Sequence, residues 1–173
     1  LGATARGVWY TPRMIDSIEA VNEAQKRVLF EKVEAYYGGK LKGKTFAVWG
    51  LAFKPQTDDM REAPSIVVIN ALLKAGARVR AYDPVATHTA RAVLGDRIRY
   101  SRTPYGVLKD ADALILITEW NEFRNPDFER MARLLKARVI FDGRNQYELE
   151  EMRERGFTYF SIGRPAVVQE AAR

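Results

Sequence analysis

Between residues 44 and 163 the chain alternates short apolar runs with longer amphipathic segments, a pattern that few architectures accept. TFAVWG (45–50), RVRAYD (78–83), IRYS (98–101), ALILIT (113–118), RVIFDG (138–143) and TYFSIG (158–163) read as strands. The first, fourth and fifth are strongly apolar, as strands covered by helices on both faces must be. Helical segments are predicted between most of them, at about 64–75, 86–94, 126–136 and 147–155. The expected fold is α/β, a Rossmann-like, mostly parallel sheet of about six strands with helices on both faces. With 173 residues, 47% of them hydrophobic, the chain can bury a core of that size. The residues after Pro165 read as a frayed tail.

A long α-helix is predicted ahead of the sheet. Thr11-Pro12 supplies a capping hydroxyl and a proline at the first helical position, and Gly38-Gly39 ends the helix. Met14, Ile15, Ile18, Val21, Val28, Leu29 and Val33 keep to one face at helical spacing, a stripe longer than one small domain covers. The expected organisation is a helix and linker over 1–43, for dimerisation and interdomain contact, and a binding domain over 44–173.

Charge and composition exclude several function classes. The net charge of +6 is spread among acidic residues, as in FERMARLLKARV, with no basic run interleaved with aromatics, so no nucleic-acid groove is expected. No apolar run approaches the roughly 18 residues that span a bilayer, and no signal peptide is visible. The expectation is a cytoplasmic protein without a membrane. Zero cysteines rule out disulfides, thiolate metal sites and a cysteine nucleophile within these residues. His88 stands alone and reads as a solvated helix residue, so no metal is expected. Leu1 in place of methionine leads to the expectation of a fragment or processed product.

The stretch VWGLAFKPQTDDMREAPS (48–65) occupies the first strand-to-helix connection, where an open parallel sheet binds phosphates. Gly50 permits a sharp turn, but no second and third glycine follow, so this is not a dinucleotide fingerprint. In their place stand Phe53 and Lys54, an aromatic beside a cation, suited to covering a sugar or base and holding a phosphate. The competing reading makes Phe53 core and Lys54 a solvated charge. Arg144, after the fifth strand, offers a planar fork on the same sheet edge. Its competing role is a salt bridge to Asp142 or a helix cap. Asp83 reads as a turn-forming Asp-Pro more than a ribose ligand. Asp58 and Asp59 read as loop caps with Arg61 as partner, Trp120 as packing or as a wall of the site, and Tyr36 and Tyr37 as core.

Five motifs in order, GLAFKPQTDDMREAPS, YDP, ITEWNEF, IFDGRN and YFSIGRP, resemble the C-terminal half of bacterial UDP-glucose 6-dehydrogenases from about Thr11 to Pro165. Relatives acting on GDP-mannose or UDP-N-acetylmannosamine share the GLxFK…DDxRE loop but do not usually carry the TEW tripeptide found at Thr118-Glu119-Trp120. The resemblance implies that Phe53 and Lys54 contact the UDP-sugar, Arg144 the UDP part, and Arg61 the NAD held by another domain. It also implies a homodimer through the central helix. Enzymes of this kind oxidise the sugar C6 twice with two NAD, through a cysteine thioester, to UDP-glucuronate for polysaccharide synthesis. By the resemblance, the NAD domain and the cysteine precede this chain, which then holds no catalytic residue. Alternatives are a non-catalytic nucleotide-sugar-binding module, a fragment acting on another nucleotide sugar, and a complete enzyme of another class.

Overall fold

The structure, a computed structural model, describes residues 13–169. The expected helix start at Thr11-Pro12 and the side chains of Met14 and Ile15 lie outside the described residues. Helix α1 (Arg13–Tyr36) has 24 residues, about 36 Å at ~1.5 Å per residue. Gly38, at φ 57°, ends it: Gly38 N–H donates to Ala35 O and Gly39 N–H to Glu34 O, satisfying carbonyls the last turn leaves open.

The sheet follows as β1 (Thr45–Trp49), β2 (Arg78–Tyr82), β3 (Arg99–Tyr100), β4 (Ala113–Leu116), β5 (Val139–Asp142) and β6 (Thr158–Phe160). The strands lie in the order β3-β2-β1-β4-β5-β6, and all the pairs between them are parallel. Helices α2 (Pro64–Lys74), α3 (Thr87–Leu94), α4 (Phe128–Leu134) and α5 (Leu149–Glu154) connect strands. This is the doubly wound order, and the chain reverses direction of growth between β1 and β4. The helices and strands predicted between residues 44 and 163 are all present, each roughly one to four residues shorter.

Strand alternation divides the interior into two cores. Phe46, Val48, Ile115 and Phe141 pack with Leu29 and Val33 of α1 and Val68, Ile69 and Leu72 of α2. Ala47, Trp49, Leu114 and Ile140 face the other way, onto Phe128 and Met131 of α4 and Met152 of α5. The second half of α1 is thus seated on the sheet domain. Its first half is not: Ile18 is 54% and Val21 66% exposed.

Two expectations need correction. Up to Gln169 the segment after Pro165 is no frayed tail, because Val167 is buried and exchanges both backbone hydrogen bonds with Tyr159, at 2.7 and 2.9 Å. The cause is that β6 is an edge strand whose outer backbone groups need partners. Tyr36, expected in the core, lies at its rim, 39% exposed, with its ring edge-on to Tyr37 and Phe160. Tyr37 is partly buried and donates to Asp112 O at 2.9 Å.

Candidate functional site

The β1–α2 loop is held from three sides. Asp83 at the end of β2 accepts the N–H groups of Leu51 and Ala52 with Oδ2, at 2.7 and 3.2 Å. Its Oδ1 takes those of Val85 and Ala86, at 2.9 and 2.7 Å. Thr118 after β4 donates its hydroxyl to Ala52 O at 2.6 Å, and Ser65 donates to Leu51 O at 2.5 Å. Gly50 has φ 86°, and a Cβ there would stand 2.6 Å from both the Cβ and the backbone N of Thr118. The glycine is demanded by this approach of two strand ends as well as by the turn. Beyond these ties the loop closes on itself, with Phe53 N–H donating to Asp59 O at 2.8 Å.

That closure presents Phe53 and Lys54 outward. Phe53 is 46% exposed, so the core reading of this residue fails; Lys54 is also exposed. Asp59 receives the Arg61 guanidinium on both oxygens, through Nε at 3.0 and 3.2 Å and Nη2 at 2.7 Å. These hydrogen bonds, with a smaller contribution from Lys54, hold the Asp59 carboxyl down to about 2. The loop-capping reading of Asp59 with Arg61 is met. The Arg61 side chain is otherwise 89% exposed. Asp58 pairs instead with Thr89, whose hydroxyl donates to it at 3.1 Å.

Arg144 follows β5 and is fixed by its base. Its backbone N–H donates to Asp142 Oδ1 at 2.7 Å and its Nε–H to Ile117 O at 2.8 Å. Its ion-pair partner is Glu119, with Oε2 2.9 Å from Nε, in place of the Asp142 bridge weighed from sequence. Because the single Nε–H is aimed at Ile117 O, Glu119 Oε2 stays buried without an aligned hydrogen bond. The two terminal nitrogens of Arg144 make no hydrogen bond among the described residues. Next to it Asn145, at φ 56°, clips the turn after β6 by exchanging two 2.9 Å bonds with the Ile162 backbone.

These loops and α1 enclose a cleft of about 740 Å³ at the carboxyl edge of the sheet. Phe53 and Arg144 both line it; Lys54 and Arg61 do not. The helix supplies Asn22, Gln25, Lys26 and Leu29 to the opposite wall. Lys26 also spans to the loop, bonding Glu62 at 2.6 Å and Glu23 at 2.7 Å. The two carboxylates raise the pKa of Lys26, and Lys26 in turn lowers that of Glu62. Sequence reasoning gave neither Lys26 nor Ile162 a role. Only the tertiary approach of α1 to the sheet edge reveals them.

Residues 47–149 match the UDP-glucose/GDP-mannose dehydrogenase family, UDP binding domain. The chain belongs to that family. It is 45% identical over 161 residues to the UDP-glucose 6-dehydrogenase of Pseudomonas aeruginosa, covering 90% of this chain and 36% of that protein. To the UDP-glucose 6-dehydrogenase of Rhizobium meliloti it is 46% identical over 153 residues, covering 88% of this chain and 35% of the other. The solved UDP-glucose dehydrogenase of Pyrobaculum islandicum superposes with a TM-score of 0.74 at 31% identity, over 92% of this chain and 34% of that one. The chain therefore spans about a third of the length of these relatives.

Within the family's UDP binding domain, the crevice at the end of β1 does not fit a dinucleotide. The carboxylate that would take a ribose, Asp83, is buried and engaged by four backbone N–H groups and by Trp120 Nε1 at 3.3 Å. Gly50 is packed against Thr118, and no second glycine follows to bring the backbone close to a pyrophosphate. The turn-forming reading of Asp83 holds, Trp120 serves as packing, and His88 is exposed. Among the described residues no group of acidic, histidine or cysteine side chains could hold a metal ion, and no helix is long and apolar enough to cross a membrane.

Proposed function

We propose that this chain is the UDP-sugar-holding part of a UDP-glucose 6-dehydrogenase. The observation that carries the reading is Arg144, anchored through Nε while its two outer nitrogens remain on the wall of a cleft that Phe53 shares. A guanidinium fixed in this way meets a diphosphate without first losing its conformational freedom. Phe53 covers the sugar or uracil, and Lys54 approaches the phosphates from the loop when ligand is present. Glu19 and Glu23, which also line the cleft from α1, repel phosphate, which favours seating the diphosphate on the Arg144 side.

In the longer enzyme, residues 1–43 act as the dimerising and interdomain element and 44–173 as the UDP-binding domain. Ile18 and Val21, exposed on one helix face, support a two-fold pairing of α1 with a second copy. NAD is held mainly by a domain outside this chain, with Arg61 reaching it from the loop, and the product is UDP-glucuronate in the cytoplasm. The chain alone reduces no NAD.

Calorimetric titration of the purified chain with UDP and with uridine tests the reading. UDP binds at least tenfold more tightly than uridine, because charge-assisted bonds contribute about 1.5–3 kcal/mol each. Equal binding of the two would contradict it, as would NADH formation from UDP-glucose and NAD.

A further inference from the structure

The linear sequence interleaves bases with acids, yet folding gathers three arginines at a place remote from the cleft. Arg133 near the end of α4, Arg138 just before β5 and Arg155 just after α5 line one cavity of about 420 Å³. It lies at the amino edge of the sheet, on the face opposite α1, and shares no residue with the Arg144 cleft. Phe128 and Phe157 form its apolar floor, and Glu129 is the one carboxylate in its wall.

The three guanidiniums are only partly neutralised. Arg155 uses Nε on Glu151 at 3.0 Å and lies 4.8 Å over the Phe128 ring, which orients its plane. Arg138 donates Nη1 to the Arg155 carbonyl at 3.3 Å. Arg133 stands 3.8 Å from Glu129, too far for a hydrogen bond. Arginine does not shed its proton in proteins, so the cavity carries an excess of fixed positive charge and unused N–H donors. A concavity whose lining is net positive concentrates anions, and planar forks match phosphate oxygens.

We infer that this cavity is a second anion site that takes a small polyphosphate group, independent of the UDP cleft. A single-stranded nucleic acid would need a basic groove tracking its backbone, whereas these charges converge on one compact hollow.

The probe is inorganic pyrophosphate, titrated by calorimetry into the Arg144→Ala chain so that the cleft's anchored cation does not contribute. Saturable one-to-one binding is expected, weakened at least fivefold by Arg133→Gln or Arg138→Gln and tightened severalfold by Glu129→Gln. These three side chains are exposed, and unchanged melting temperatures will confirm that the variants fold. Three results would overturn the site: no saturable binding at millimolar pyrophosphate, affinities indifferent to the glutamine variants, or equal displacement by chloride at the same ionic strength.

Discussion

The carboxylate of Asp83, at the end of β2, accepts the backbone N–H of Leu51, in the loop leaving β1, at 2.7 Å. Together with its bond to Ala52, this makes one buried side chain fix the path of the chain toward Phe53 and Lys54. Replacement by alanine leaves these donors and those of Val85 and Ala86 without partners. At about 1–3 kcal/mol for each buried group left unsatisfied, Asp83→Ala should cost at least ~3 kcal/mol in urea unfolding. Asp83→Asn retains an acceptor oxygen and should lose less. Equal, small losses in both would show that the loop does not depend on this carboxylate.

Gly50→Ala places a methyl 2.6 Å from the Thr118 backbone at a φ of 86°. Left-handed strain of about 1–2 kcal/mol and overpacking of about 1–3 kcal/mol add to a loss of roughly 2–5 kcal/mol. Thermal unfolding of the purified variant measures it. A melting temperature equal to that of the parent chain would mean that the two strand ends move apart freely.

Asp59 supplies the pH dependence of the loop. Its folded value of about 2 lies below the ordinary 3.8, so its pairing with Arg61 is complete above the ordinary value and is lost as pH falls toward 2. NMR titration of the Asp59 carboxyl should show a midpoint near 2, and Arg61→Gln should return it toward 3.8. An unchanged midpoint in Arg61→Gln would assign the depression to another cause.

Ile18, half exposed on α1, tests the pairing of two chains. Sedimentation of the parent chain should show a dimer across a micromolar concentration series. Ile18→Asp, burying an unpaired charge in that interface, should shift it to monomer. A parent chain that stays monomeric at high micromolar concentration would leave the apolar stripe of α1 for another neighbour.

The sheet was legible because Phe46 to Trp49, Ala113 to Leu116 and Val139 to Phe141 are apolar on both faces, a pattern helices seldom need. The position of Arg144 on the carboxyl edge of the sheet followed from its place after a strand. What could not be read was tertiary. Glu119 replaced Asp142 as the partner of Arg144 because the loops after β4 and β5 adjoin, and no spacing in the sequence encodes that distance. Lys26 lies outside the apolar stripe of the helix, yet its side chain is only 14% exposed, since α1 leans over the loop carrying Glu62. The segment around Val167 lacked strand length, and only the open edge of β6 gives it a partner.

The central claim is that Arg144 and the Phe53–Lys54 loop jointly hold a nucleoside diphosphate, and the most direct measurement is calorimetry of UDP with the parent chain, Arg144→Ala and Lys54→Ala. The account predicts that each substitution weakens UDP by tenfold or more, about 1.4 kcal/mol or above, while uridine binding changes little. UDP affinity unchanged in both variants would contradict it, leaving Arg144 as a tie to Ile117 and Glu119 and Lys54 as a solvated charge.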